Sequence, residues 1–219
     1  MSIKVDRFIN SRFTSNTFVL SKEGAKDVWV IDPGDVSPVS EWMAMNGKNE
    51  VKGVLLTHSH FDHIYGLNEL LGLYPSCPVY VANEYGCIAL YDAKKNGSRY
   101  TEAPFVLKEE ANIKLMGDTL ELWQGVSMSI INTIGHSPDS VCFLIDNLIF
   151  TGDTLIKDTR TVTKLKGGSV PDLEKTITML RTEYQGRGLT VMAGHGDSFE
   201  LDEYDLSIAT HNPLFDAKF

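Results

Sequence analysis

Val54-Leu55-Leu56-Thr57-His58-Ser59-His60-Phe61-Asp62-His63 decides how this chain is read. A short apolar run of strand character passes straight into a polar stretch with three histidines and an aspartate. In an extended or turning segment alternate side chains project to the same side. His58 and His60 can therefore share one cation. Asp62 and His63, where a helix over 64–72 is expected to begin, can face a second. Neutral imidazole and carboxylate are good ligands for zinc, and also for iron or manganese. No cysteine enters the motif, which points away from a closed structural zinc site and toward an open catalytic one.

The same context recurs along the chain. His136 stands in Gly135-His136-Ser137-Pro138 and His195 in Gly194-His195-Gly196, each in a loop after an apolar run. Leu148-Ile149-Phe150 delivers Asp153 in Thr151-Gly152-Asp153-Thr154, a carboxylate placed to hold two cations together. Five of the six histidines fall in these motifs, and only His211 is left over. Loops after strand ends gather at one rim of a layered fold, so ligands distant in sequence are expected to meet.

The rest of the pattern is α/β. Strands are expected over 3–9, 17–20, 28–31, 54–56, 79–81 and 190–193, with a hairpin of 141–145 and 148–150 across Asp146-Asn147. Helices are expected over 38–46, 64–72, 83–92, 171–183 and 202–210. Many short strands with helices spread among them imply stacked layers around two sheets, in a single domain over 1–219. The 219 residues, 42% hydrophobic and 22% charged, suit a globular protein with a sizeable core. A net charge of −9 argues against a nucleic-acid partner. The three cysteines form no C-x-x-C pair, and the first residues lack the apolar core of a signal peptide. No apolar run reaches membrane-spanning length. A cytoplasmic protein without a membrane partner is the expectation.

The ordered set of motifs resembles the metallo-β-lactamase superfamily, and within it the glyoxalase-II-like (hydroxyacylglutathione-hydrolase-like) branch. Ser15-Asn16-Thr17, Val30-Ile31-Asp32-Pro33-Gly34 and Asn212-Pro213 add to the likeness. The resemblance implies a four-layer αββα sandwich with the metal site at one edge of the two sheets. It implies that His58, His60 and His136 hold a first metal, and that Asp62, His63 and His195 hold a second. Asp153 would bridge the two, and Asp32 would brace the histidine loop. Two departures stand out. Asp139 occupies a position where the family usually has glycine. Only 24 residues follow His195, where glyoxalase II proper carries a long helical domain for glutathione.

The chemistry expected of such a site is hydrolysis. Two divalent ions, zinc first with iron or manganese as alternatives, lower the pKa of bound water to about 7. The metal-bridging hydroxide would attack a small ester, thioester, lactone or phosphoester, with Asp62 steering the released proton. A different class, the mononuclear-iron sulfur dioxygenases, shares the fold and is the alternative. Lys157, Arg160, Lys164 and Lys166 crowd a short stretch after Asp153. Lys164 and Lys166 are the candidates for holding an anionic small-molecule substrate; a solvated strand is the plainer reading of the same residues.

Overall fold

β-Branched and aromatic runs separated by turns dominate the first half of the chain, and they pair as the pattern implies. The computed structural model describes residues 3–108 and 110–211, and the chain divides into two compact units, up to Met116 and from Gly117 onward. In the first unit β1 (Ile3–Ile9), β2 (Asn16–Lys22), β3 (Asp27–Ile31), β4 (Glu50–Leu55), β5 (Val79–Val81) and β6 (Ile113–Leu115) form one mixed sheet in chain order. β1 to β3 are antiparallel, and β3 to β6 run parallel.

Helices α1 (Val36–Met45), α2 (Leu67–Leu73) and α3 (Glu84–Ala89) lie between these strands in sequence. Val39 and Met43 of α1 and Leu67 and Leu70 of α2 join Val19, Val30 and Val54 in one buried cluster. Asn83 caps α3, its side chain accepting from the amides of Tyr85 and Gly86. The helix expected from residue 64 starts only at Leu67, after a 3₁₀ turn over Phe61–His63. Gly66 explains the delay. A Cβ there would fall 1.9 Å from the Gly34 carbonyl oxygen, so the chain touches the loop after β3 before it coils.

Because β3 and β4 are parallel, their C-terminal ends open at the same edge. Asp32 leaves one end and the Thr57–His63 loop leaves the other. The Asp32 amide donates to the Leu55 carbonyl at 3.1 Å, which stitches the two exits together.

The second unit is also a mixed sheet, in the order β12-β11-β10-β9-β8-β7. Its strands are β7 (Thr119–Trp123), β8 (Val126–Asn132), β9 (Val141–Ile145), β10 (Leu148–Gly152), β11 (Thr190–Ala193) and β12 (Phe199–Glu200). The β9–β10 hairpin turns on Asp146 at φ +52°, the left-handed conformation that tight two-residue turns demand. Helix α4 (Val170–Glu183) starts at Ser169, whose side chain accepts from the Asp172 amide, with Pro171 in its first turn. Leu173, Thr176, Ile177 and Leu180 form its buried stripe.

The expected helix over 202–210 is instead two 3₁₀ turns, Leu201–Glu203 and Leu206–Ala209. Asp205 interrupts it by accepting from the Ser207 amide. Asn212-Pro213 lies outside the described residues. Two mixed sheets, each with its own helices, are the α/β fold class read from the sequence.

Candidate metal centre

The first unit contributes one loop. It leaves β4 with Thr57, His58, Ser59, His60 and His63 all buried, an arrangement that polar side chains tolerate only with partners. Asp32 is the organiser. Its carboxylate accepts from the Thr57 amide at 2.8 Å, from the Thr57 hydroxyl at 2.5 Å and from His63 Nδ1 at 3.0 Å. Asp32 itself sits at φ +52°, a conformation Asp adopts more readily than most residues. Since the Thr57 hydroxyl gives its hydrogen to Asp32, its oxygen accepts from His58 Nδ1 at 3.1 Å.

Ser15 and Thr17 complete the frame, the one donating to the Asp62 carbonyl at 2.7 Å and the other to the Asp32 carbonyl at 2.7 Å. The imidazoles pack together, His58 against His60 at 4.8 Å and against His63 at 4.3 Å between ring centroids. Asp32, His58 and His63 also group closely enough to share an ion. The hydrogen bonds already received by the Asp32 carboxylate assign it to bracing the loop instead.

The second unit contributes three loops. β8 and β10 are each antiparallel to β9, and β11 is parallel to β10, so β8, β10 and β11 all end at one edge. His136, Asp153 and His195 follow those ends. One Asp153 carboxylate oxygen, Oδ2, faces His136 Nε2 at 3.6 Å, and the other, Oδ1, faces His195 Nε2 at 3.5 Å. His136 Nδ1 donates to the Val162 carbonyl at 2.7 Å. Gly135, at φ +144°, lets the histidine loop lie on α4: a Cβ would come within 2.5 Å of Leu173 Cα. Asp139 is buried and accepts from the Ser137 hydroxyl at 2.8 Å, so a polar bond closes the turn where the family usually places glycine.

The donor set fits divalent metals. His58, His63 and His136 each spend Nδ1 on a neighbouring oxygen, which leaves Nε2 as the lone-pair atom. The Nε2–carboxylate separations of 3.5–3.7 Å, including His63 to Asp62 at 3.7 Å, exceed a hydrogen bond. They match the edge of a tetrahedron with metal–ligand bonds of about 2.1 Å, which is roughly 3.4 Å.

Lys164 and Lys166 are exposed on a loop, so the solvated strand does not form. That loop is tied down by the Thr161 hydroxyl to the Thr154 carbonyl at 2.9 Å and by the Ser169 amide to the Gly135 carbonyl at 2.8 Å. Tyr65 donates to Asp35 at 2.7 Å. His211 is exposed, with its ring against Thr210. Cys77 and Cys142 are buried, and burial pushes both thiols up to about 12. Sequence reasoning missed Thr57, although its place before His58 was a usable signal. It also missed the Val162 carbonyl, for which a backbone atom leaves none. Among the described residues no helix is long and apolar enough to cross a membrane.

Comparison with known proteins bears on this arrangement. A hydroxyacylglutathione hydrolase of Pseudoalteromonas translucida is 29% identical over 143 residues, 62% of this chain and 44% of that protein. The chain thus spans less than half the length of that curated relative. An uncharacterized protein of Mycobacterium leprae is 29% identical over 197 residues, 84% of this chain and 87% of the relative. Among solved structures, BLEG-1, a B3 metallo-beta-lactamase, superposes with a TM-score of 0.79 at 25% identity, covering 97% of this chain and all of the other. TTHA1623 in a di-iron-bound form superposes with a TM-score of 0.76 at 21% identity, over 95% and 99% of the two chains. The profile of the Metallo-beta-lactamase superfamily matches residues 11–204, a span that takes in every one of the histidine and aspartate motifs described above. With that match and the β-strand-end histidine loops, the chain belongs to the metallo-β-lactamase superfamily.

Proposed function

We propose that this chain is a binuclear metallo-hydrolase of a small ester, thioester, lactone or phosphoester. The observation that carries the reading is the Asp153 carboxylate, which turns one oxygen to His136 and the other to His195. A carboxylate split in this way suits a bridge between two cations. On the superfamily pattern His58, His60 and His136 would hold the first ion, and Asp62, His63 and His195 would hold the second.

Two divalent ions, zinc by preference, would supply Lewis-acid activation of water near neutral pH. The chain's own part is to fix the imidazoles through Asp32, Thr57 and the Val162 carbonyl, and to accept a proton at the half-buried Asp62 carboxylate. Lys164 and Lys166, on their tethered loop, give an anionic substrate a pair of exposed ammonium groups to meet. The hydroxyacylglutathione hydrolase relative supports thioester or ester chemistry. The partner is a small molecule, not nucleic acid, and the compartment is cytoplasmic.

Elemental analysis of the purified chain under saturating zinc, followed by a panel of thioesters, lactones and phosphodiesters, tests this. Two metals per chain with hydrolysis of at least one class is the expected result. One tightly bound iron per chain, with oxygen uptake and no hydrolysis, would replace it with the sulfur dioxygenase reading.

A further inference from the structure

The β1–β2 turn carries more than its connection needs. Phe13 and Thr14 are consecutive non-glycine residues in the left-handed region, at φ +55° and +53°. Such a pair persists only when its surroundings over-determine it. They do here. The Asn10 amide donates to the Ser15 carbonyl at 2.8 Å, Asn10 Nδ2 donates to Ser15 Oγ at 3.0 Å, and Ser15 is tied to the Asp62 backbone. What the strained turn presents is Arg12. Its guanidinium lies 5.5 Å from the Phe61 ring centroid and 5.3 Å from that of Tyr65, within cation–π range. Asp35, the acid that faces this turn, is taken up by the Ser11 amide and hydroxyl and by the Tyr65 hydroxyl.

Beside these rings lies a cavity of about 250 Å³, lined by Arg12, Phe61, Tyr65, Phe105 and Lys108, among others. Among the described residues two cations line it and no carboxylate does. Among the described residues neither Arg12 nor Lys108 forms an ion pair. Its outer wall is built rather than loose. Asn68 of α2 donates to the Val106 carbonyl at 2.9 Å and accepts from the Lys108 amide at 3.0 Å. Phe61, one of its lining residues, stands between His60 and Asp62, and its amide is held by the Asn96 carbonyl at 2.8 Å. A larger neighbouring cavity of about 640 Å³ shares Tyr65 and Lys108 but also carries Glu69 and Glu110, which oppose an anion.

We infer that the smaller cavity is the specificity pocket for a substrate acyl arm with an apolar stem and a terminal carboxylate. This rests on the hydrolase reading and names its substrate class. At about 30 Å³ per water-sized group, the cavity holds roughly eight such groups, the scale of a short ω-carboxyacyl chain. The stem lies against the aromatic lining, and the carboxylate meets Arg12 and Lys108.

The test uses the metal-loaded full chain and matched pairs: succinyl against butyryl thioesters for turnover, and succinamate against butyramide for binding followed by NMR. Wild type is expected to favour the succinyl thioester at least tenfold in kcat/KM, and to bind succinamate over butyramide. Arg12→Gln and Lys108→Gln, both at exposed positions and checked for fold by circular dichroism, are each expected to lower both preferences about tenfold. Neither should change metal content. Equal use of the two thioesters by wild type, or succinamate binding untouched by both substitutions, overturns the pocket, since the carboxylate then sits elsewhere. Selective succinamate binding without hydrolysis of any thioester leaves the pocket standing and defeats the hydrolase reading alone.

Discussion

In the first unit four ligand candidates occupy one loop, His58 to His63, while in the second three arrive singly from the ends of β8, β10 and β11. The first arrangement is local. Chain spacing alone brings the imidazoles together, and the burden is to satisfy polar groups in a buried loop, which Asp32 and Thr57 discharge. The second arrangement is topological. His136, Asp153 and His195 become neighbours only once the β8-β9-β10-β11 pairing is in register. The first half is therefore vulnerable at its bracing hydrogen bonds, and the second at the one carboxylate its two histidines share.

Asp153→Ala breaks the comparison most severely. It removes both oxygens that face His136 and His195. Turnover should fall by more than about a thousandfold, beyond the 10–100-fold typical of an outer partner, and bound metal should drop. Steady-state kinetics with metal analysis on the same sample checks this. Retention of both metals and of a tenth of the activity would remove Asp153 from the bridging role.

Asp32→Asn is the matching lesion in the first unit. Asparagine tolerates the φ of +52° and keeps one acceptor for the Thr57 amide. Its second position presents an amide or loses the charge that holds His63 Nδ1. Metal affinity and turnover should each fall about 10–100-fold with the fold retained. Competition with a chromophoric chelator reads the affinity. A loss as large as that of Asp153→Ala would mean that Asp32 is itself a ligand.

The difference between the halves also explains what could be read before the structure. The His58–His63 motif was legible because its candidate ligands are adjacent in sequence, and Asp153 because an apolar strand points at it. The shared strand-end context singled out His136 and His195, and only the family likeness assigned each to an ion, since the strand order that brings them beside Asp153 is long-range. Three features were illegible for physical reasons. The Val162 carbonyl that orients His136 is a backbone atom any residue supplies. The late start of α2 follows from a close approach at Gly66 that periodicity does not encode. The pair of 3₁₀ turns near residues 201–209 arises because Asp205 competes for a backbone amide inside an otherwise helical pattern.

The mildest test compares the cores behind the two halves through their thiols. Cys77 lies in the cluster of the first unit and Cys142 in that of the second, and burial raises each from an ordinary 9.0 to about 12. A thiol with a raised folded-state pKa keeps its proton while the unfolded chain releases its own. Below pH 9 this contributes its full stability; as pH climbs from 9 toward 12 that contribution is lost. The slope is about 1.4 kcal/mol per pH unit per thiol, so about 2 kcal/mol each between pH 9 and about 10.5, as an upper bound. Cys142→Ala should therefore lose about 2 kcal/mol less than wild type across that range in urea titrations, and Cys77→Ala should do the same. Should only one substitution flatten the alkaline limb, the unit housing the other thiol has opened before global unfolding. Should neither do so, both cores admit water to their sulfurs well below the pH at which the fold is lost.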